Sequence, residues 1–366
     1  AGTRGHTVWQ PAGRRSSGCD EVRPQWVWPT VGDVEFIDVT QDEAGLRAWY
    51  EAYSAAGRHG KPHPMVWAFA EILAATAIDW PRRKLRHISA VVDGRVVAAG
   101  SISFPQLDHL VHAAVEVFVA PADRGRGYGS ALLAHLEGMA RSAGRHIIAA
   151  EVLHALDDPA DAAGVPDAEF ARRHGYKFGL GDVMRRLALP VSPDFLTDLA
   201  DSIAPAHAGY AITSHYGSGP ADIAYKVSVL DASLTTEAPM GEMSYEAEAV
   251  DVESNRIGEQ LLAAQRRSRI RTVAMWGQEV VGYCDTVRAE YDGNRVWQWG
   301  TQVHRDHRGH RLGLALKIAN MRALAQAYPE ADEILTFNAE VNTHMIAVND
   351  QLGYVPVARL AEFEKH

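Results

Sequence analysis

Two short stretches of this sequence suit phosphate: Arg124-Gly-Arg-Gly-Tyr-Gly129 and Arg308-Gly-His-Arg-Leu-Gly313. Each follows an apolar, β-rich run and opens a run with helical spacing. The first turn of a helix presents N–H groups without intrahelical acceptors, at the positive end of its dipole. Phosphate satisfies both, glycines let the backbone approach it closely, and arginine adds charge-assisted hydrogen bonds. No Gly-Lys-Ser/Thr follows, so neither stretch is a Walker loop. Both also lack the acidic ribose-binding residue of a Rossmann fingerprint. What remains is a strand-turn-helix suited to hold phosphate, which in two copies suggests a nucleotide-cofactor fold, with an ordinary Gly-rich strand-to-helix turn as the plainer reading.

The elements that would position these turns occur twice. In the first half, Val34–Val39 reads as a strand, and Glu43–Ala56 and Val66–Ile78 as helices. Leu85–Val92 and Val96–Phe104 form a hairpin through Asp93-Gly94. Ala113–Val119 is a strand stopped by Pro121, Gly127–Ala143 a helix with Leu132, Leu133, Leu136 and Met139 on one side, and His146–Val152 a strand. A short helix ends at Gly175-Tyr176, before a last strand near Lys177–Leu189. The second half repeats the order: hairpin strands Arg269–Trp276 and Val280–Arg288, strand Val296–Val303, helix Leu312–Tyr328, strand Glu333–Asn338 and helix Asn342–Leu352 with Gly353-Tyr354. Gly94 and Gly277 are 183 positions apart and the Arg/Gly turns 184, so the chain reads as an internal duplication. The expected division is a leader over 1–30, disordered or added during cloning, a first domain over 31–190, a linker with a short helix over 191–209 and a second domain over 210–366.

Composition narrows the class. With 366 residues, 47% hydrophobic and 22% charged, the chain suits two globular domains. No apolar run is long enough to span a bilayer. A net charge of −10 disfavours nucleic acid and favours a cationic small molecule or basic peptide. Cys19 and Cys284 form no disulfide framework and no metal spacing, which reads as a reducing, cytoplasmic setting. Cys284 is expected as a small buried residue in a strand. No metal site is expected.

Val117-Phe-Val-Ala-Pro121 followed by Arg-Gly-Arg-Gly-Tyr-Gly-Ser-Ala-Leu-Leu133 resembles motif A of the GNAT-type N-acetyltransferases. Phe170-Ala-Arg-Arg-His-Gly-Tyr176 and Leu352-Gly353-Tyr354 resemble the motif B of that family. The resemblance spans nearly the whole chain, in a tandem layout similar to that of mycothiol synthase and other actinobacterial two-domain acetyltransferases. It implies an α/β fold of two GNAT-like domains, each a mixed, mostly antiparallel central sheet flanked by helices. It also implies an acyltransferase that moves acetyl from acetyl-CoA directly to a primary amine of a small molecule. One or both halves acting as a non-catalytic acyl-CoA-binding domain is the alternative. Other expected partners are none: no nucleic acid, no membrane, and a monomer or homodimer.

The cofactor residues implied are Val117, Phe118, Val119, Arg124, Gly125, Arg126, Gly127, Tyr128, Gly129 and Ser130 in the first half. In the second they are Thr301, Gln302, Val303, Arg308, Gly309, His310, Arg311, Leu312, Gly313 and Leu314, with Asn338, Asn342 and Asn349. Arg311 stands where the family has its middle glycine; a helical φ would permit the side chain there. Asn342 has a second reading as a helix N-cap. The family's bulged strand before the turn would supply a backbone N–H to an oxyanion.

Glu116 is the catalytic candidate, a general base on the strand before the first turn, with a surface carboxylate as its plainer reading. Glu151 on the next strand is a weaker candidate. Gly300 occupies the matching position in the second half, which leaves Glu340 and His304 as guesses there. The family's tyrosine, placed to protonate the departing thiolate, is replaced by Ala171 and Asn349. Trp297 and Trp299 read as core or pocket wall.

Overall fold

Alternating β-branched residues and tight Gly turns give this chain its strands, and each repeat builds one half of a single sheet. The computed structural model describes residues 34–61, 63–233 and 240–366. The expected leader, with Cys19, lies outside the described residues. The first repeat runs β1 (Glu35–Asp38), α1 (Glu43–Arg58), α2 (Phe69–Ala77), β2 (Arg83–Val92), β3 (Arg95–Pro105), β4 (His112–Val119), α3 (Tyr128–Ser142), β5 (Ile147–Ala155), α4 (Pro166–Arg173) and β6 (Lys177–Ala188). After α5 (Pro193–Ile203), the second runs β7 (Ala211–Tyr216), α6 (Ala221–Asp231), α7 (Val252–Ala264), β8 (Arg267–Trp276), β9 (Glu279–Ala289), β10 (Arg295–Val303), α8 (Leu312–Ala327), β11 (Glu333–Ala339), α9 (Thr343–Leu352) and β12 (Val355–Lys365).

The strand order is β1-β2-β3-β4-β5-β12-β6-β11-β10-β9-β8-β7. Read from either end it is the same succession, with a pseudo-twofold relation between β12 and β6. Every neighbouring pair is antiparallel except β4–β5 and β10–β11. The mixed, mostly antiparallel α/β architecture expected from the sequence is present, but the two sheets run on as one.

They do so because the repeats exchange their last strands. β12, the end of the second repeat, lies against β5 with Glu362 opposite Glu151. β6, the end of the first, lies against β11 with Val183 opposite Asn338. Side-chain burial seals the exchange. Phe363 and Ala361 are buried with Ile88, Ile102, Leu132, Leu136 and Ile148 in the first repeat's core. Leu187 is buried with Ile270, Leu314, Ile318, Ile334 and Tyr354 in the second. A buried Phe contributes about 1.5–3 kcal/mol by removal of apolar surface from water, enough to fix the position of a strand.

The connections between helices also brace the sheet. Lys61, after α1, donates to the carbonyl of Leu153 and pairs with Asp167 at 2.8 Å. Met65 packs on the central cluster of Leu153, Met184, Leu335, Ala358 and Leu360. In the second repeat the segment ahead of α7 reaches the first repeat's half of the sheet. There the Glu242 N–H donates to the Gly179 carbonyl at 2.9 Å, and His112 Nε2 lies 2.6 Å from the Ser244 carbonyl.

Candidate functional site

Both phosphate turns share one construction. Arg124 Nε donates to the Val119 carbonyl at 3.2 Å, and Arg308 Nε to the Val303 carbonyl at 3.2 Å. Each side chain thereby bridges the end of its strand to its own turn. Gly125 and Gly309 have φ of +76° and +86°, the left-handed region that glycine enters without steric cost. Helices α3 and α8 then begin with no side-chain cap. Helices α1, α5, α7 and α9 are capped by Asp42, Ser192, Asp251 and Asn342, whereas α4 and α6 also lack a side-chain cap. The two N-termini behind the turns therefore offer uncapped donors to an anion, which fits a bound pyrophosphate.

The turns differ in how they are held. Asp123, with its carboxylate covered, accepts two hydrogen bonds of 2.7 Å from Arg95, and these hold its carboxyl below the usual carboxylate range. Gly129 lets α3 sit against strand and helix, since a Cβ there would lie 3.1 Å from Val119 and 3.6 Å from Phe170. Ser130 Oγ lies 3.0 Å from His174 Nε2, so its hydroxyl meets α4. In the second turn His307 lies 2.9 Å from the Tyr210 hydroxyl, and His310 Nδ1 lies 3.1 Å from the Ala206 carbonyl. Leu312 and Leu314 are buried in the core. Arg311 has φ +57° and ψ +14°, not the helical φ that would accommodate a side chain freely. It repeats the left-handed backbone of Gly127, whose φ is +86°.

Beside each turn the sheet opens. β4 pairs with β5 only from His112–Ala114 to Ile147–Ala149, and β10 with β11 only from Arg295–Trp297 to Glu333–Leu335. Val117–Val119 and Thr301–Val303 lie beyond the last ladder partner on that side. Backbone groups facing such an opening need another partner, and the amide groups of a pantetheine arm would suit them. The bulge expected before the turn is present in β10, where register moves from Gln298↔Thr286 to Thr301↔Cys284. β4 carries none: its register with β3 is unbroken from Ala114 to Val119. Its regular alternation is what aims Glu116 at the face bearing Ser101.

On that face the first half gathers carboxylates. Ser101 Oγ donates to Glu116 Oε2 at 2.5 Å. Glu116 and Glu151 are both exposed on this face. Desolvation by the groups around it, then the charges of Glu116 and Asp182, push the Glu151 carboxyl up to about 7. Burial raises Asp182 to about 6. Burial, then Glu151 and Asp182, raise Glu362 to about 8. Tyr53 of α1 packs nearby, its hydroxyl accepting from the Trp67 N–H at 3.0 Å and its ring standing edge-on to Phe118 at 4.8 Å.

The second half is arranged otherwise. The Tyr283 hydroxyl occupies the space beside Gly300 and donates to Asp231. Arg271 pairs with Asp285 through Nε at 3.0 Å and Nη2 at 2.6 Å. Glu340 is bound to Arg359, and the His304 side chain accepts from the Asp306 N–H within its own turn. Neither guess supplies a carboxylate or imidazole at Gly300.

The fold brings Asn338 and Asn349 into contact and gives Asn342 a separate task. Asn342 caps α9 by accepting from the Met345 N–H at 3.1 Å. Asn349 has no exposed surface: it accepts from Lys317 Nζ at 2.6 Å and donates to Asn338 Oδ1 at 3.1 Å. Lys317 is also buried, and burial lowers its ammonium to about 8. This network is missed by sequence reading, although a lone lysine inside Leu312-Gly-Leu-Ala-Leu-Lys-Ile318 marks it. Cys284 is buried in β9 as expected. Among the described residues no group of His, Cys, Asp and Glu side chains is placed to hold a metal ion, and no helix is long and apolar enough to cross a membrane.

Residues 46–176 match the model of the Acetyltransferase (GNAT) family. In structure the chain is similar to a tandem GNAT protein from the clavulanic acid biosynthesis pathway, with a TM-score of 0.72 and 25% identity over 91% of this chain and 98% of that one. A GCN5-related N-acetyltransferase from Sphaerobacter thermophilus aligns with a TM-score of 0.60 and 16% identity, over 90% and 95% of the two chains. One from Kribbella flavida aligns at 0.50 and 17%, over 91% and 70%. No curated protein sequence matches the chain. The first half is therefore an acetyltransferase domain of the GNAT family, a family of acyltransferases. The chain as a whole has a tandem GNAT layout.

Proposed function

We propose that this protein is an acetyl-CoA-dependent N-acetyltransferase acting on a primary amine of a small molecule, and that the first half carries the transfer. One observation supports this above others: Glu116 and Glu151 stand on the two strands that part beside an uncapped, glycine-started helix. When bound, acetyl-CoA supplies a thioester-activated acetyl group. Gly125, Gly127 and the first turn of α3 hold its pyrophosphate, with Arg124 and Arg126 adding charge. Val117–Val119 offer backbone partners along the opening.

An amine with a pKa near 10 arrives protonated and is not a nucleophile until it loses that proton. Glu151, raised to about 7, is near the optimum for a base working at neutral pH. Glu116, fixed by Ser101, holds the ammonium at the strand opening and passes its proton toward Glu151. The second half serves as a second coenzyme-binding unit, a reading favoured by Tyr283 filling the position that matches Glu116.

Calorimetry with acetyl-CoA, followed by thiol release on a panel of amines, tests this. Two coenzyme sites and amine-dependent thiol release are expected, with kcat falling by about 10²–10⁴ in Glu151→Gln. Coenzyme binding without turnover on any amine would leave the chain a non-catalytic acyl-CoA-binding protein.

A further inference from the structure

A buried histidine in the first repeat has polar atoms that its own core does not satisfy. His87 of β2 is 4% exposed, and neither ring nitrogen has a hydrogen-bond partner among the described residues. Burial, opposed by the charge of Asp38, holds its imidazole down to about 4, so the ring is neutral near pH 7. A neutral imidazole carries one N–H and one acceptor nitrogen. Leaving both unpaired in the interior is costly, and buried polar groups as a rule have a partner.

The sheet sets a partner on the next strand. His87 stands directly opposite Ser101 of β3, and Ser101 directly opposite Glu116 of β4, all three on one face. Opposed side chains start about 4.5–5.5 Å apart at Cβ. The His87 ring packs edge-on against Trp49 at 4.5 Å, and Trp49 Nε1 donates to the carbonyl of Gly100, the neighbour of Ser101. The second repeat shows that side chains at this pair of positions meet. Arg271 and Asp285 lie 184 positions further on, are directly opposed in the same way, and are joined by hydrogen bonds of 3.0 and 2.6 Å. There the row ends at Gly300, and its first two members form a closed ion pair. In the first repeat it ends at Glu116, and Ser101, 4% exposed, gives its hydroxyl hydrogen to that carboxylate while its lone pairs face the row.

We propose that His87 is a positioning residue for the transfer: its N–H donates to Ser101 Oγ and so commits the Ser101 hydrogen to Glu116. The bond needs a turn of the ring from its place in the structure, about an outer torsion that is broad in histidine. A serine hydroxyl otherwise rotates to suit any neighbour. With a donor behind it, each bond of the chain polarises the next, and the exposed Glu116 is held from the interior. Arg83, on the same face of β2, also acts on Glu116, through its charge rather than an oriented bond. No proton leaves the imidazole. The assignment rests on the transfer reading above and adds to it the group that fixes Glu116.

The test uses the full chain. NMR of the histidine ring nitrogens, without coenzyme, reads the contact, and His87→Phe assigns the signal. Expected is a neutral His87 imidazole whose protonated nitrogen shifts in Ser101→Ala and in Glu116→Gln. A histidine spectrum unmoved by both overturns the proposal, whether or not His87→Phe folds. Thiol release from acetyl-CoA with n-butylamine reads the consequence. His87→Phe, which keeps a ring against Trp49, is expected to lower kcat about tenfold with KM and coenzyme stoichiometry unchanged. Ser101→Ala should do the same, and the double variant should lose no more than either alone. Additive losses, or a loss shared with KM and melting temperature, make the histidine a packing residue and overturn its positioning role. Full activity in His87→Phe beside a crippled Glu116→Gln overturns His87 alone. Full activity in Glu116→Gln, or no amine-dependent release in the unaltered protein, sinks the transfer reading and the positioning role with it.

Discussion

The hydroxyl of Tyr283 stands where a side chain at position 300 would have to go. Any Cβ on Gly300 would collide with it, and that hydroxyl is in turn held by Asp231. The matching position of the first repeat carries Glu116, so the same strand position has been given opposite uses. Gly300→Ala is expected to lower stability by about 1–3 kcal/mol, the usual cost of overpacking a filled site. Chemical denaturation gives the value. A neutral result would mean that Tyr283 moves aside freely, and with it the argument that the second half has lost its carboxylate to packing.

Arg311 provides a separable test, because its charge and its backbone pull in different directions. A non-glycine residue in the left-handed region costs about 1–2 kcal/mol, partly offset by the lower unfolded-state entropy of the larger residue. Arg311→Gly is therefore expected to raise the stability of the ligand-free protein by up to about 1 kcal/mol. The same change removes a cation beside the α8 N-terminus and should weaken coenzyme binding in the second half severalfold. Thermal melts with and without coenzyme separate the two effects. Loss of stability without ligand would contradict the strain.

The carboxylates of Glu151 and Glu362 make stability and activity respond oppositely to pH. Glu151 and Glu362 are raised to about 7 and about 8, from ordinary values near 4.5. A carboxyl raised in the folded state ionises first in the unfolded chain. Stability from these groups is thus present below about pH 4.5 and is lost as pH rises through 7 to 8. Melting temperature should fall between pH 5.5 and 8.5, and fall less in Glu362→Gln. Amine acetylation should rise over the lower part of that range as Glu151 becomes a free base. A melting temperature independent of pH in both proteins would remove the coupling among Glu151, Asp182 and Glu362.

The parts of this fold legible in the sequence are those written in local chemistry. The Asp93-Gly94 turn, the glycines at 125 and 309, and the Gly175-Tyr176 and Gly353-Tyr354 helix ends each mark a backbone requirement where they stand. Asn342, read as both cap and pantetheine ligand, shows the limit: its cap is visible from the next three residues, while its distance from the opening depends on the sheet. The strand exchange left no local mark, because Lys177–Ala188 and Val355–Lys365 would pair as well in either half. What decides is the burial of Phe363 and Leu187 in cores remote in sequence. Tyr283 and Lys317 were hidden for the same reason. A tyrosine in a strand and a lysine in an apolar helix acquire meaning only from Gly300, Asp231 and Asn349.

The unequal turns allow the halves to be separated in one protein. Gly127 begins α3 in the left-handed region, and an aspartate there would carry both strain and a negative charge into the pyrophosphate site. Gly313 lies within α8 with no atom close to an added Cβ, so Gly313→Asp brings charge without steric conflict. Each variant is expected to reduce coenzyme stoichiometry from two to one. Gly127→Asp should abolish amine-dependent thiol release as well. Gly313→Asp should retain it at a rate within severalfold of the unaltered protein, since Glu116 and Glu151 stand in the other half. Rapid-mixing thiol assays beside calorimetry read both quantities. Should Gly313→Asp be the inactive variant, the transfer belongs to the half with the bulged strand, and Glu116 is a surface carboxylate after all.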